Sequence, residues 1–157
     1  MCANYEPIRP SEIINLGLVQ PRFDFVKEAY PADLCPILIS GLQDDFEWRQ
    51  ALFGLVPEWA ETISFSKHTY NAQLETVATK PSYRTAWREN QYALVPMHSF
   101  FEPSYETGKA VRTRIERQDH EPFTVAAIWD HWSDHFRAYA VNMEKLQFAL
   151  VSWHVHR

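Results

Sequence analysis

Apolar residues occur along this chain in short blocks, each cut off by proline, charge or a turn residue, and that pattern predicts strands far more than helices. Strands are expected over residues 34–40, 48–56, 92–101, 110–117, 123–129 and 136–141, with a last apolar strand over 146–155. Helix signals are fewer. Ser11 ahead of Glu12, Ile13, Ile14 and Leu16, and Ser82 ahead of Tyr83, Ala86, Trp87 and Glu89, each have the form of a capped short helix. Residues 41–45 and 106–109 carry turn chemistry. Leu55-Val56-Pro57 and Leu94-Val95-Pro96 each close an apolar run, an echo that suits two half-barrels with loops opening on one face. No linker or low-complexity tract divides the sequence, so one domain over 1–157 is expected, β-rich with a few short helices.

Composition narrows the picture. A chain of 157 residues, 46% hydrophobic and 15% aromatic, is long enough to bury an ordinary core. Its formal net charge of -5 argues against a protein that coats nucleic acid through bulk positive charge, while leaving room for a local basic groove. Two cysteines, Cys2 and Cys35, and the lack of a charged and apolar leader point to a reduced, cytoplasmic setting. No apolar run reaches the roughly 20 residues of a membrane span, and no membrane partner is expected.

Cys2 changes the question from fold to chemistry. Loss of Met1 would leave a cysteine at the N-terminus, with an α-amine and a thiol on adjacent carbons. The amine can condense with an aldehyde to an imine, and the thiolate can then close on the imine carbon to give a thiazolidine. With reference pKa values of about 7.7–8.0 and about 8.5, a usable minority of each nucleophile exists near neutrality. Two further segments hold polar residues that a β-rich core does not need. One runs from Asn71 through Gln73 to Thr76 and on to Arg84; the other is Phe100-Phe101-Glu102-Pro103, where the proline confines Glu102 to an extended conformation. A glutamate beside aromatic rings loses hydration, which suits it to moving protons. Taken singly, Asn71 also reads as a turn residue, Glu102 as a solvated strand end and Arg84 as a surface charge. His131 and His135 have i, i+4 spacing and His154 and His156 alternate, but no acidic or cysteine ligand stands at a matching distance, so no metal is assigned.

The ordered set resembles the SRAP family, the SOS-response-associated peptidases, whose members crosslink to abasic sites in single-stranded DNA. The segments that carry the resemblance are Cys2, Phe53-Gly54-Leu55-Val56-Pro57-Glu58-Trp59, Asn71-Ala72-Gln73-Leu74-Glu75-Thr76, Lys80-Pro81-Ser82-Tyr83-Arg84, Leu94-Val95-Pro96 leading to Phe100-Phe101-Glu102, and Ala127-Ile128-Trp129. It implies a mixed α/β (α+β) fold round a β-barrel-like core and a shallow basic groove. It also implies roles. Cys2 is the nucleophile, Asn71 the hydrogen-bonding group at the reacting sugar, Glu102 the proton relay, and Arg84, Trp59 and the Gln73 position the DNA contacts. No metal or organic cofactor is implied. The expected partner is single-stranded DNA carrying abasic sites, with association to the nucleoid during repair.

Departures from the family pattern carry expectations of their own. Ala3-Asn4-Tyr5 follows Cys2 where Gly-Arg and an aromatic residue are usual, Gln73 stands where arginine is common, and Pro103 replaces a frequent tryptophan. A late His-x-x-Arg-Met-Pro-like segment has no counterpart before Arg157, so the domain is expected to lack the usual C-terminal segment and to crosslink slowly. An uncovered strand at 146–155 would then offer Phe148, Leu150 and Trp153 to a second copy, a homo-oligomer through the C-terminal strand. Two other functions compete: an N-terminal-nucleophile cysteine peptidase, in which Cys2 attacks an amide beside an oxyanion hole at Asn71, and a non-catalytic single-stranded-DNA binder.

Overall fold

In the computed structural model, which describes residues 4–42, 45–132 and 145–152, five strands close into a ring. β2 (Leu34–Ser40) pairs antiparallel with β3 (Phe46–Phe53), β3 pairs parallel with β8 (Lys145–Ser152), and β8 pairs antiparallel with β7 (Phe123–Trp132). β7 continues antiparallel onto β5 (Tyr92–Ser104), and β5 returns to β2 through Leu38↔Leu94 and Ile39↔Ala93. Closure removes the sheet edges that an open arrangement of these strands would expose. The 13-residue β5 runs on past the barrel, where β1 (Asn4–Pro7) flanks it on one side and β6 (Val111–Glu116) on the other. β4 (Asn71–Gln73) adds in parallel to the end of β8.

Strand alternation explains where the core sits. Cys35, Ile37 and Ile39 of β2, Ala51 and Phe53 of β3, Ala93, Val95 and Met97 of β5, and Leu146, Phe148 and Leu150 of β8 fill the barrel. The outward positions Ile128 and Ala149 pack in a second cluster with Leu55, Ala72, Val77, Tyr83 and Ala86, so the 71–88 segment and α2 (Arg84–Arg88) cover the outside of β7 and β8. The helix α1 (Pro10–Asn15) begins at a proline, which has no N–H to lose there, and the Glu12 carboxylate accepts the Arg9 N–H at 2.8 Å. Its N-cap is thus Arg9 and not Ser11. Likewise the N-cap position of α2 is Tyr83 and not Ser82, with no side-chain capping bond.

Several expectations change. The predicted strand over 48–56 runs instead from Phe46 to Phe53, because Gly54 (φ +116) turns the chain out of the sheet. Leu94-Val95-Pro96 lies inside β5 and is paired to β7 throughout, whereas Leu55-Val56-Pro57 lies beyond β3, so the echo between them is not a structural repeat. The strand expected over 136–141 falls outside the described residues. The C-terminal strand is not an uncovered edge: β8 has β7 on one side and β3 followed by β4 on the other, and Phe148 and Leu150 are buried. The proposed homo-oligomer contact through that strand therefore loses its physical basis, and Trp153 lies outside the described residues.

β8 also carries a buried two-way polar contact. The buried Gln147 side chain accepts the Val56 N–H at 2.5 Å and donates to the Val56 carbonyl at 3.2 Å. Gln147→Leu should leave both backbone groups unpaired in the interior and cost about 2–4 kcal/mol, read as a lower urea midpoint with an unchanged slope.

Candidate active site

Two groups of residues approach each other round the aromatic ring of Phe53. The first comes with the N-terminal strand. Asn4 pairs with Phe101 and Tyr5 with Phe100, while β6 on the far side sets Thr113 opposite Glu102 and Arg112 opposite Pro103. β1 is held from a third direction by backbone bonds between Tyr5 and Ala29 in both directions, at 3.2 and 2.8 Å. Beside them Glu28 gathers three donors on one carboxylate: the Asn4 side-chain amide, the Tyr30 hydroxyl at 2.8 Å and the Arg112 guanidinium. The hydrogen bond to the Glu28 carboxylate is the first cause that raises the Tyr30 phenol above its ordinary value. Arg112 also stacks over Phe101, 3.4 Å from the ring centroid.

The second group is built on β4. Asn71 pairs with Leu150, a core position, and Gln73 with Ser152, so both stand on the face of β4 that corresponds to the barrel side of β8. The Tyr83 hydroxyl donates to the Asn71 carbonyl at 3.0 Å, and burial pushes that phenol up to about 12. This bond ties the start of α2, and with it the exposed Arg84, to Asn71. Tyr70, just before Asn71, meets Phe53 edge-on at 5.7 Å, and Tyr5 meets the same ring edge-on at 5.3 Å. Thus the strand that leads to Cys2 and the strand that carries Asn71 flank one buried side chain.

The sequence-predicted residues divide accordingly. Glu102 stands on β5 beside the N-terminal strand, while Asn71, Gln73 and Arg84 are linked to one another through β4 and Tyr83. Trp59 is 58% exposed and sits on a separate loop, its ring edge-on to Phe65 at 4.8 Å. Cys2 lies outside the described residues, as do His135, His154 and His156. His131 packs against Trp129 at 5.2 Å between ring centroids. Cys35 is fully buried, and desolvation pushes its thiol up to about 12, which leaves it without nucleophilic character near neutrality.

Sequence reasoning did not single out Glu28, Tyr30, Arg112 or Tyr70, and it named Tyr83 only within a helix signal and a motif, without its bond to Asn71. Arg112 had a visible signal, since Arg112 and Arg114 alternate on one face of a polar strand in an acidic chain. Glu28 and Tyr30 had none.

The sequence model of a family described as SOS response associated peptidase (SRAP) matches residues 10–152. An 82-residue stretch is 27% identical to the abasic site processing protein YoqW of Bacillus subtilis (strain 168), and equally to YoqW of Bacillus phage SPbeta. That match covers 52% of this chain and 36% of the length of either relative. Among solved structures, a Bordetella bronchiseptica protein superposes with a TM-score of 0.83 at 21% identity, over 98% of this chain and 73% of its own. A Bacteroides thetaiotaomicron protein does so with a TM-score of 0.73 at 21% identity, over 97% and 68%. At that identity the superpositions show a shared fold.

Proposed function

This chain belongs to the SRAP family, and on that premise we propose that it processes abasic sites in single-stranded DNA by forming a covalent thiazolidine through Cys2. The observation that carries the reading is the pairing of Asn4 with Phe101. Consecutive Cα atoms are 3.80 Å apart, so Cys2 lies within about 7.6 Å of the Asn4 Cα, and Asn4 faces the immediate neighbour of Glu102. The names of the two YoqW relatives support the DNA lesion as the substrate.

Removal of Met1 is part of the proposal, because the reacting amine must belong to Cys2. The neutral amine adds to C1′ of the ring-opened deoxyribose aldehyde to give a carbinolamine, and loss of water gives the imine. The thiolate then adds to the imine carbon while the nitrogen takes up a proton, which closes the five-membered ring with no other leaving group. Glu102 is the group that moves protons in these steps, protonating the departing hydroxyl and relaying the proton from sulfur to nitrogen. Asn71 supplies hydrogen bonds to the sugar. Arg84 meets phosphate, and Trp59 offers a stacking face worth about 1–3 kcal/mol per base. No helix among the described residues is long and apolar enough to cross a membrane.

Glu102→Gln should slow single-turnover crosslinking to an abasic oligonucleotide by about 10²-fold, the scale of losing a positioned general acid/base. Asn71→Ala should slow the same step. Unchanged rates in both variants would remove the site from consideration, and cleavage of peptides by the wild type without any DNA adduct would favour the peptidase reading.

A further inference from the structure

We infer that a β-bulge at His98, clamped to α1 by Glu12, turns Glu102 toward the barrel, which makes His98 a positioning residue for the crosslinking function proposed above. The register carries this. Pro7 pairs with Met97, Glu6 with Ser99 and Tyr5 with Phe100, so two steps along β1 oppose three along β5 and His98 is the extra residue. Up to that point the odd positions Ala93, Val95 and Met97 fill the core. Had the alternation continued, Phe101 would follow them inward and Glu102 would face away. Past the bulge it is Phe100 that packs on the core, against Tyr5 across the strands and edge-on to Phe123 at 6.0 Å. Glu102, two residues on, shares the face of Phe100. A single inserted residue thus sets the side from which the carboxylate acts, the re-aiming that bulges perform next to active sites.

The insertion is held from three elements. His98 is buried, with Nδ1 2.9 Å from Glu12 Oε1 of α1 and Nε2 3.9 Å from Glu116 Oε2 of β6. Glu12 is itself bound to the first turn of α1 through the Arg9 N–H. The Ser99 hydroxyl accepts Arg114 Nε at 3.1 Å, and the same guanidinium pairs with Glu6, the register partner of Ser99, at 2.7 Å. Burying an imidazole costs free energy unless polar groups stand near it, and here carboxylates from two elements lie within ion-pair distance, although Nδ1 makes no hydrogen bond of ordinary geometry.

Two measurements on the full chain separate this inference from the function on which it rests. In the first, Glu102→Cys in a Cys2→Ser background is labelled with a bulky maleimide, Cys35 being silent because its thiol is buried and pushed up to about 12. Deleting His98 moves residue 102 to the face of Phe101, which is buried beneath Arg112 where Glu102 is half-buried, and should lower the labelling rate about tenfold, since a one-residue slip exchanges the faces of a strand. Equal rates overturn the inference, whatever the DNA chemistry proves to be. In the second, crosslinking at saturating abasic oligonucleotide is compared for His98→Ala, Glu102→Gln and the double variant, with folding checked by near-ultraviolet circular dichroism. His98→Ala should lose about tenfold or more through misplacement of the carboxylate, His98→Asn should recover part of it, and the double variant should be no slower than Glu102→Gln alone. Losses that multiply overturn the inference, because a residue acting through Glu102 has nothing left to position. Should the deletion variant fail to fold, this cycle decides. A wild type that forms no adduct removes the proposed function but leaves the labelling result standing as the judge of the bulge.

Discussion

Cys2→Ala yields no denaturant-resistant adduct with an abasic oligonucleotide, while its thermal unfolding matches that of the wild type. The alanine variant keeps an α-amine and can still condense with the aldehyde, but an imine hydrolyses back and does not survive heating in denaturant. Only sulfur addition locks the carbon in a ring, so Cys2→Ser should likewise give a reversible adduct, visible when trapped with a hydride reagent and lost otherwise. Cys35 cannot substitute for the missing thiol. It is fully buried in the barrel and desolvation pushes it up to about 12, so its thiolate fraction near neutrality is negligible. Intact mass before and after incubation reads the outcome directly. The wild type should gain the mass of the oligonucleotide less one water, for water leaves at the imine step and ring closure releases nothing further. A heat-stable adduct from the alanine variant would overturn the mechanism.

What the sequence made legible depended on whether an element's physics is local. β2 occurs over the residues expected, Leu34–Ser40, although it contains Pro36. That proline is tolerated because β2 meets β5 only at Leu38 and Ile39, so Pro36 needs a ladder partner on the β3 side alone. β1 and β4 were invisible. Asn4–Pro7 and Asn71–Gln73 are short and carry no alternation, and they are strands because β5 and β8 offer them edges far away in sequence. β8 was read as an exposed edge for the same reason, since parallel partners that precede it by more than 70 residues leave no local trace. The bulge was equally hidden, because residues 93–101 are apolar at both parities and no face could be assigned across His98. For the site, the ordered motifs picked out Asn71, Gln73, Arg84 and Glu102, the residues to which the proposed function gives its chemistry. They could not point to Glu28 or Tyr30, whose place beside Asn4 follows from the fold and from no pattern in the chain.

Gly54→Ala should be the most damaging single-methyl change in this fold, with a loss of about 3–5 kcal/mol, because it combines backbone strain with a backbone collision. Gly54 sits at φ +116, a conformation that L side chains rarely adopt, and an added Cβ would lie 2.1 Å from the Ser66 carbonyl oxygen and 2.7 Å from its carbon. Neither contact can be relieved by rotating a side chain. The Gly54 N–H is fixed at the same time by the Phe148 carbonyl at 2.7 Å, so the glycine cannot retreat without breaking β3 from β8. The 3-10 helix Ile63–His68 must move instead, and with it Thr69, which is bound to the Leu55 carbonyl, and Tyr70, whose ring rests on Phe53. Asn71 is the next residue. The variant should therefore unfold at a lower urea concentration, and its folded fraction should crosslink more slowly than folding alone explains, since Asn71 loses its fixed place. Gly108→Ala is the control. Its φ is +76 but nothing stands within 4 Å of the added carbon, so strain acts there without collision, and the cost should stay near 1–2 kcal/mol with no change in crosslinking. Equal losses for the two glycines would show that the contact with Ser66 contributes nothing, and that the path from Gly54 to Asn71 does not transmit the change.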